Sequence, residues 1–420
     1  MTHTEPTADA TPSPAGPPSP IPPDSVPLYG PRYQENPAQL YRELRRTYGP
    51  VVPALLEGDV PAWLVIGYRE LHQLFSDPQL FARDPRIWNQ WPNIAPDWPL
   101  IQYTAYQPSV LFGEGPEHQR RVAAISDALS GVDQFELRTR CEEIADTLID
   151  GFAGSGEAEL MTQYVYSIPV MAIAGIIGIP IADVGDTARD LVTSLDGGEE
   201  AIPAYQRVAA RMGALVAAKR ADPGPDVTSR MLAHPAALTD EELLFDVILL
   251  TLAAQEPTAN WIGNTLQLML TDDRFSLTLS GGRQSVSQAL NEVMWENIPV
   301  QNSLGRWATR DTELGGRHIR AGDALLLGLA GANADPYVRP ATGAPANNAH
   351  LSFAHGSHGC PYPAPELAEV IARTAVEVLL DRIPDATLAV YPDELTWRSS
   401  FQIRGLISLP VKFSPTAIAR

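Results

Sequence analysis

The stretch that most constrains this chain is Phe353-Ala-His-Gly-Ser-His-Gly-Cys360, followed at once by Pro361-Tyr-Pro-Ala-Pro365. Its glycines and prolines break regular structure. From about Pro365, Leu367, Val370, Ile371, Thr374 and Val378 recur at the spacing of a buried helix face. Any fold of this chain must therefore set Cys360 in a constrained loop at the mouth of a buried helix. A lone cysteine in an apolar neighbourhood is ordinarily a small core residue, so its flanks have to decide the reading. The chain holds only two cysteines, Cys141 and Cys360, which excludes a disulfide framework and reads as an intracellular protein. Cys141 falls on an amphipathic helix expected over Phe135–Phe152 and reads as an inert core thiol.

The remaining pattern is mainly helical. Residues 1–27 are dense in Pro, Ser, Thr and Ala and are expected to form a disordered tail, with a polyproline recognition segment as the alternative. A helix is expected from Pro37, a hairpin from Val51–Leu56 and Ala62–Ile66 around Gly58-Asp59, and a further helix over Tyr68–Phe75. Residues 81–115 carry Trp88, Trp91, Trp98, Tyr103 and Tyr106 among prolines with little periodicity. Long irregular segments of this kind serve as lids or binding loops, or are packed down by their own aromatics. From 157 to 275 the chain is helical in pattern, and 241–270 is its longest apolar helix, suited to the middle of a domain. A net charge of −20 disfavours nucleic acid and anionic membranes as partners. The longest apolar run, 247–254, is far short of the roughly 20 residues of a membrane span. The absence of a secretory signal adds the expectation of a cytoplasmic protein.

The order Phe353, Gly356, His358, Cys360 resembles the haem-ligand loop of the cytochrome P450 family, in its soluble bacterial form. The resemblance implies a mainly α fold with small β-sheets, forming one haem-thiolate domain over 28–420. It implies haem b, with Cys360 as the axial iron ligand. It further implies a monooxygenase that inserts one atom of O2 into a small or medium hydrophobic substrate, with electrons from a ferredoxin or flavin partner. By position, His118, Arg306 and His358 match the residues that hold the haem propionates, and Phe353, Ala253 and Ala254 those that pack on the haem. In Leu252-Ala-Ala-Gln-Glu-Pro-Thr258, Glu256 matches the acid of the oxygen-activating segment. Pro257 stands where the family has threonine, and Thr258 follows.

Other family features are altered. The arginine expected four residues after His118 is Val122, with Arg120 as a possible substitute at a different angle on the helix. Glu292 is followed at the third place by Trp295 instead of arginine, as in an actinobacterial branch that this sequence resembles. Tyr337–His350 holds only Arg339, placed early, so both arginines of the usual trio are expected to be missing. Burial of Trp295 is expected to replace the ion pair. Pro257 is expected to open the central helix by removing the donor for the Ala253 carbonyl. These departures keep a second class in view, a haem-thiolate protein without oxygenase turnover that serves in ligand binding, sensing or assembly.

Overall fold

A computed structural model describes residues 17–30, 37–196, 200–276, 284–339, 347–398 and 400–416. The first half comprises β1 (Val26–Pro27), α1 (Pro37–Tyr48), β2 (Val51–Leu56), β3 (Val60–Val65), α2 (Tyr68–Ser76), β4 (Phe81–Ala82), α3 (Gly115–Ser130), α4 (Gln134–Asp150), β5 (Glu157–Glu159) and α5 (Ser167–Ile177). There follow α6 (Ile181–Asp196), α7 (Ala201–Ala221), α8 (Val227–Ala233), α9 (Asp240–Thr271), α10 (Gln284–Glu296), β6 (Ser303–Ala308), β7 (Thr312–Leu314), β8 (Arg317–Ile319), β9 (Ala324–Leu327), α11 (Ala364–Arg382), β10 (Thr387–Leu388) and β11 (Pro410–Lys412). The helices predicted from periodicity form within a few residues of their expected ends, because each buries the apolar stripe that announced it. A six-stranded sheet, in the order β1-β2-β3-β9-β6-β4, lies beside the helices. The β2–β3 turn uses positive φ at Gly58 and Asp59, residue types that tolerate it.

The disordered tail drawn to residue 27 needs correction. Residues 1–16 lie outside the described residues, but 17–27 do not. Val26 pairs with Ala54 in a parallel bridge, and the Ser19 hydroxyl donates to Asp323 at 2.5 Å. Val26 and Leu28 are buried, and these two side chains supply the apolar surface that a composition average over the tail conceals.

α9 is the axis of the helical part. Thr239 and Glu242 form a reciprocal cap at its start, and α5, α7, α10 and α11 pack around it. It runs unbroken through Pro257, so the expected opening does not appear as an interruption of the helix. A proline ring removes one donor and crowds one carbonyl, and the packing on both sides of α9 is enough to hold the remaining turns together. Arg121 on α3 and Asp246 on α9 form a buried two-bond pair of 2.9 and 2.5 Å, and the same carboxylate accepts the Val110 N–H at 2.6 Å. No single helix among the described residues is long and apolar enough to cross a membrane.

The expected loss of both trio arginines is also corrected. Arg339 reaches Glu292 at 2.9 Å and Glu296 at 2.8 Å, and Arg274 stands 3.6 Å from Glu292. An arginine displaced in sequence thus regains the partner through the course of the backbone. Trp295 is buried beside them, with its indole N–H donating to the Asn347 carbonyl at 3.1 Å and its ring edge-on to His350. Because Glu292 already has its cation, Trp295→Arg adds no needed charge and removes a packed indole. The expected loss is about 2–4 kcal/mol of folding stability by chemical denaturation. Unchanged or raised stability would show that the indole is dispensable.

Candidate functional site

The site lies where the cysteine loop meets the middle of α9. Ala354 and Gly356 adopt positive φ, the Gly359 N–H donates to Gly356, and the Cys360 N–H donates to the Phe353 carbonyl at 2.9 Å. The Phe353 ring packs edge-on against Trp261 of α9, with centroids 6.0 Å apart. α11 starts at Ala364, close to the predicted place, with its carboxylate Glu366 in the first turn. Cys360 keeps accessible surface although protein crowds its remaining sides. That burial, with a smaller push from Glu366, raises its thiol to about 12. A thiol so placed becomes a thiolate when a cation sits on it, which is what a metal ion supplies.

On α9, burial stops after Thr251 and resumes at Thr258. Between them Ala253 is exposed, and Ala254, Glu256 and Pro257 are half-buried. This segment is thus less covered by protein than the fully buried turns of 258–266 that follow it. At about 100° per residue, Pro257 lies about 40° from Ala253 around the helix and Thr258 about 140° away. Thr258 is 3% exposed, so it turns into the protein while Ala253 and Pro257 share the open face. Glu256 forms an ion pair with Arg398, which arrives from the C-terminal segment.

To one side of Cys360 lies a buried cationic group. The His358 ring stacks on His118 with centroids 4.0 Å apart, and its Nε2 donates to the Gly113 carbonyl at 3.0 Å. Arg306 is 1% exposed, and its Nε has no partner. Burial and the neighbouring Arg83 push Arg306 well below the ordinary arginine value, and burial takes Arg83 down to about 10. His118 falls to about 4, first through burial and then through Arg83, Arg121 and Arg306, and His358 falls to about 3, first through burial and then through Arg306. Glu114, itself raised by burial, is the carboxylate that opposes Arg83 and Arg306. The buried Arg306 guanidinium, its Nε without a partner and opposed by a carboxylate that burial makes reluctant to ionise, fits a group bearing carboxylates. The residues present therefore fit haem.

His118, Arg306 and His358, expected as one set, lie near one another, and Arg83, which the sequence did not single out, joins them. Its only signal is a position two residues after Phe81, next to a strand that pairs with β6. Arg120 does not substitute. It bonds the Ala236 carbonyl and Glu242 on the far side of α3. In the irregular segment, Trp88, Trp91 and Trp98 pack on one another with centroids 5.2 and 5.7 Å apart, so they hold the loop down. Leu100 and Tyr103 instead reach a cavity of about 620 Å³, which they line together with Leu28, Glu256, Arg398 and Phe401.

A cysteine loop pinned to the central helix, a less covered segment on that helix and a buried arginine with an unpartnered Nε are the arrangement that the resemblance to a haem-thiolate protein implies. No family model matches the sequence. The chain is 30% identical over 363 residues to the mycinamicin IV hydroxylase/epoxidase of Micromonospora griseorubida, covering 83% of this chain and 89% of that one. It is 29% identical over 404 residues to the vitamin D(3) 25-hydroxylase of Pseudonocardia autotrophica, covering 92% and 96%. The solved structure of CYP154C4 from Streptomyces sp. ATCC 11861 superposes with a TM-score of 0.84 at 26% identity, covering 93% of this chain and 98% of that one. The chain belongs to the cytochrome P450 family, and it is a haem-containing monooxygenase.

Proposed function

We propose that this monooxygenase oxidises a small or medium hydrophobic molecule held in the cavity between the 81–115 segment, the middle of α9 and the C-terminal turn. Electrons come from a ferredoxin or flavin partner, and the enzyme works in the cytoplasm. The observation that carries the reading is the Cys360 loop pinned to α9 through Phe353 and Trp261, with His358, two residues before the cysteine, stacked on His118 and within the field of Arg306. The substrates in the relatives' names, vitamin D(3) and mycinamicin IV, support a hydrophobic ligand.

When bound, the haem supplies the redox chemistry that moves one atom of dioxygen onto the substrate. Cys360 Sγ is the iron ligand, and the fixed loop around it leaves the sulfur little freedom. Arg306, with Arg83 beside it, would hold the carboxylates, and His118 and His358, stacked on each other, would complete that side of the site. Phe353 packs the loop against α9, and Ala253 and Ala254 keep that part of the helix small enough to leave room. Glu256 is the one ionisable side chain in 252–258, and it lines the cavity, so it is the group able to pass a proton from cavity water towards the open face. Pro257 shares that face and carries no donor.

The reading is tested by the carbon-monoxide spectrum of the reduced protein together with product formed per electron consumed when surrogate reductases are supplied. Pro257→Thr is expected to raise that ratio a few-fold and to lower hydrogen peroxide release, because a hydroxyl is restored on the face shared with Ala253. The burial of Thr258 favours a second reading, without oxygenase turnover. That reading prevails if Pro257→Thr and Glu256→Gln both leave peroxide release unchanged with ligand bound.

A further inference from the structure

We propose that the Glu256–Arg398 ion pair determines specificity in the cavity. It selects substrates that present a neutral hydrogen-bonding group, a hydroxyl foremost, and disfavours those ending in a carboxylate or a quaternary ammonium. The proposal names the substrate class of the cavity described above and rests on that reading.

Both partners line the cavity and keep about a quarter of their side chains uncovered, 23% for Glu256 and 29% for Arg398. They come from elements far apart in sequence, and each is held in place. Glu256 sits on α9. Arg398 donates its backbone N–H to the Gly405 carbonyl at 2.9 Å, next to the antiparallel bridge between Trp397 and Leu406. The Arg404 guanidinium covers the Trp397 ring at 3.7 Å, and Asn264 of α9 donates to the Arg404 carbonyl at 3.0 Å. The pair is therefore a charge-balanced patch on a mixed wall that includes the apolar Leu28, Leu56, Phe401 and Ile403.

Charge balance decides what such a patch accepts. A carboxylate entering beside it meets Glu256, and an ammonium meets Arg398. Either ion would give up water without gaining a counter-charge, since each protein charge is already matched by the other. Glu57, which also lines the cavity, adds to the bias against anions. A hydroxyl both donates and accepts, so it can give its proton to the carboxylate and take one from the guanidinium without separating them.

The test is calorimetric titration of the haem-loaded full chain with n-decanol, n-decanoate and n-decyltrimethylammonium, each below its micelle concentration. The apolar chain is the same in all three, and the trimethylated nitrogen cannot ligate iron. The wild type is expected to bind the alcohol at least about tenfold more tightly than either ion. Glu256→Gln should shift the decanoate-to-decanol ratio about tenfold in favour of the carboxylate, and Arg398→Gln should do the same for the ammonium. Arg398→Lys keeps the charge and should retain the wild-type order even if the glutamine variants fail to fold. Equal binding of decanoate and decanol by the wild type, or ratios unmoved by the substitutions, overturns the proposal. Product formation is scored separately. A protein that ranks the ligands as stated but forms no product disproves the oxygenase reading and leaves the role of the pair intact.

Discussion

Cys360→Ala is expected to abolish both the thiolate-type Soret band of the reduced, carbon-monoxide-bound protein and all product formation, while leaving the chain folded. The side chain lies at an accessible place and fills little of the core, and the bond that closes its loop comes from the backbone N–H to Phe353, which alanine retains. Haem is still expected to bind, because the hold proposed for Arg306 on its carboxylates does not depend on the sulfur. Cys141 cannot stand in for the lost ligand. It is fully buried on α4 and, unlike Cys360, has no accessible surface at which to take up a ligand. A thiolate band that survived the substitution would therefore refute the assignment of the iron ligand outright.

The largest expected loss of stability comes from Asp246→Leu. Arg121 is 2% exposed and Asp246 is fully buried, so the substitution strands a guanidinium in the interior. It also removes the acceptor of the Val110 N–H, at the end of the irregular segment that borders the cavity. Breaking one side of a buried pair costs about 3–5 kcal/mol, whereas replacing both sides with apolar groups is often nearly neutral. The double substitution Arg121→Met with Asp246→Leu is accordingly expected to recover most of what the single one loses in chemical denaturation. A single-substitution loss below about 1 kcal/mol, the scale of exposed pairs, would show that water reaches this pair. The Arg121 guanidinium also bonds the Pro108 carbonyl at 2.9 Å, so the single substitution should loosen the 81–115 segment and weaken ligand binding.

Short-range patterns determined much of this protein by themselves. The apolar stripes of α1, α3, α4, α9 and α11 placed those helices, because a stripe at helical spacing can be buried in only one way. The order Phe353, Gly356, His358, Cys360 pointed to the haem-thiolate loop, since the residues that shape the loop and the one that binds iron lie within eight positions. The tertiary structure alone decided how charges are matched. Arg83 joins Arg306 because β4 pairs with β6. Arg339 recovers Glu292 from an unexpected place in the sequence. Arg120 and Arg121, adjacent in sequence, take different partners because neighbouring residues on a helix point in different directions. Thr258, one residue from Pro257, faces the interior for the same reason. Helical periodicity is a property of neighbours along the chain, whereas the compensation of a buried charge depends on whichever group the fold brings within a few ångströms.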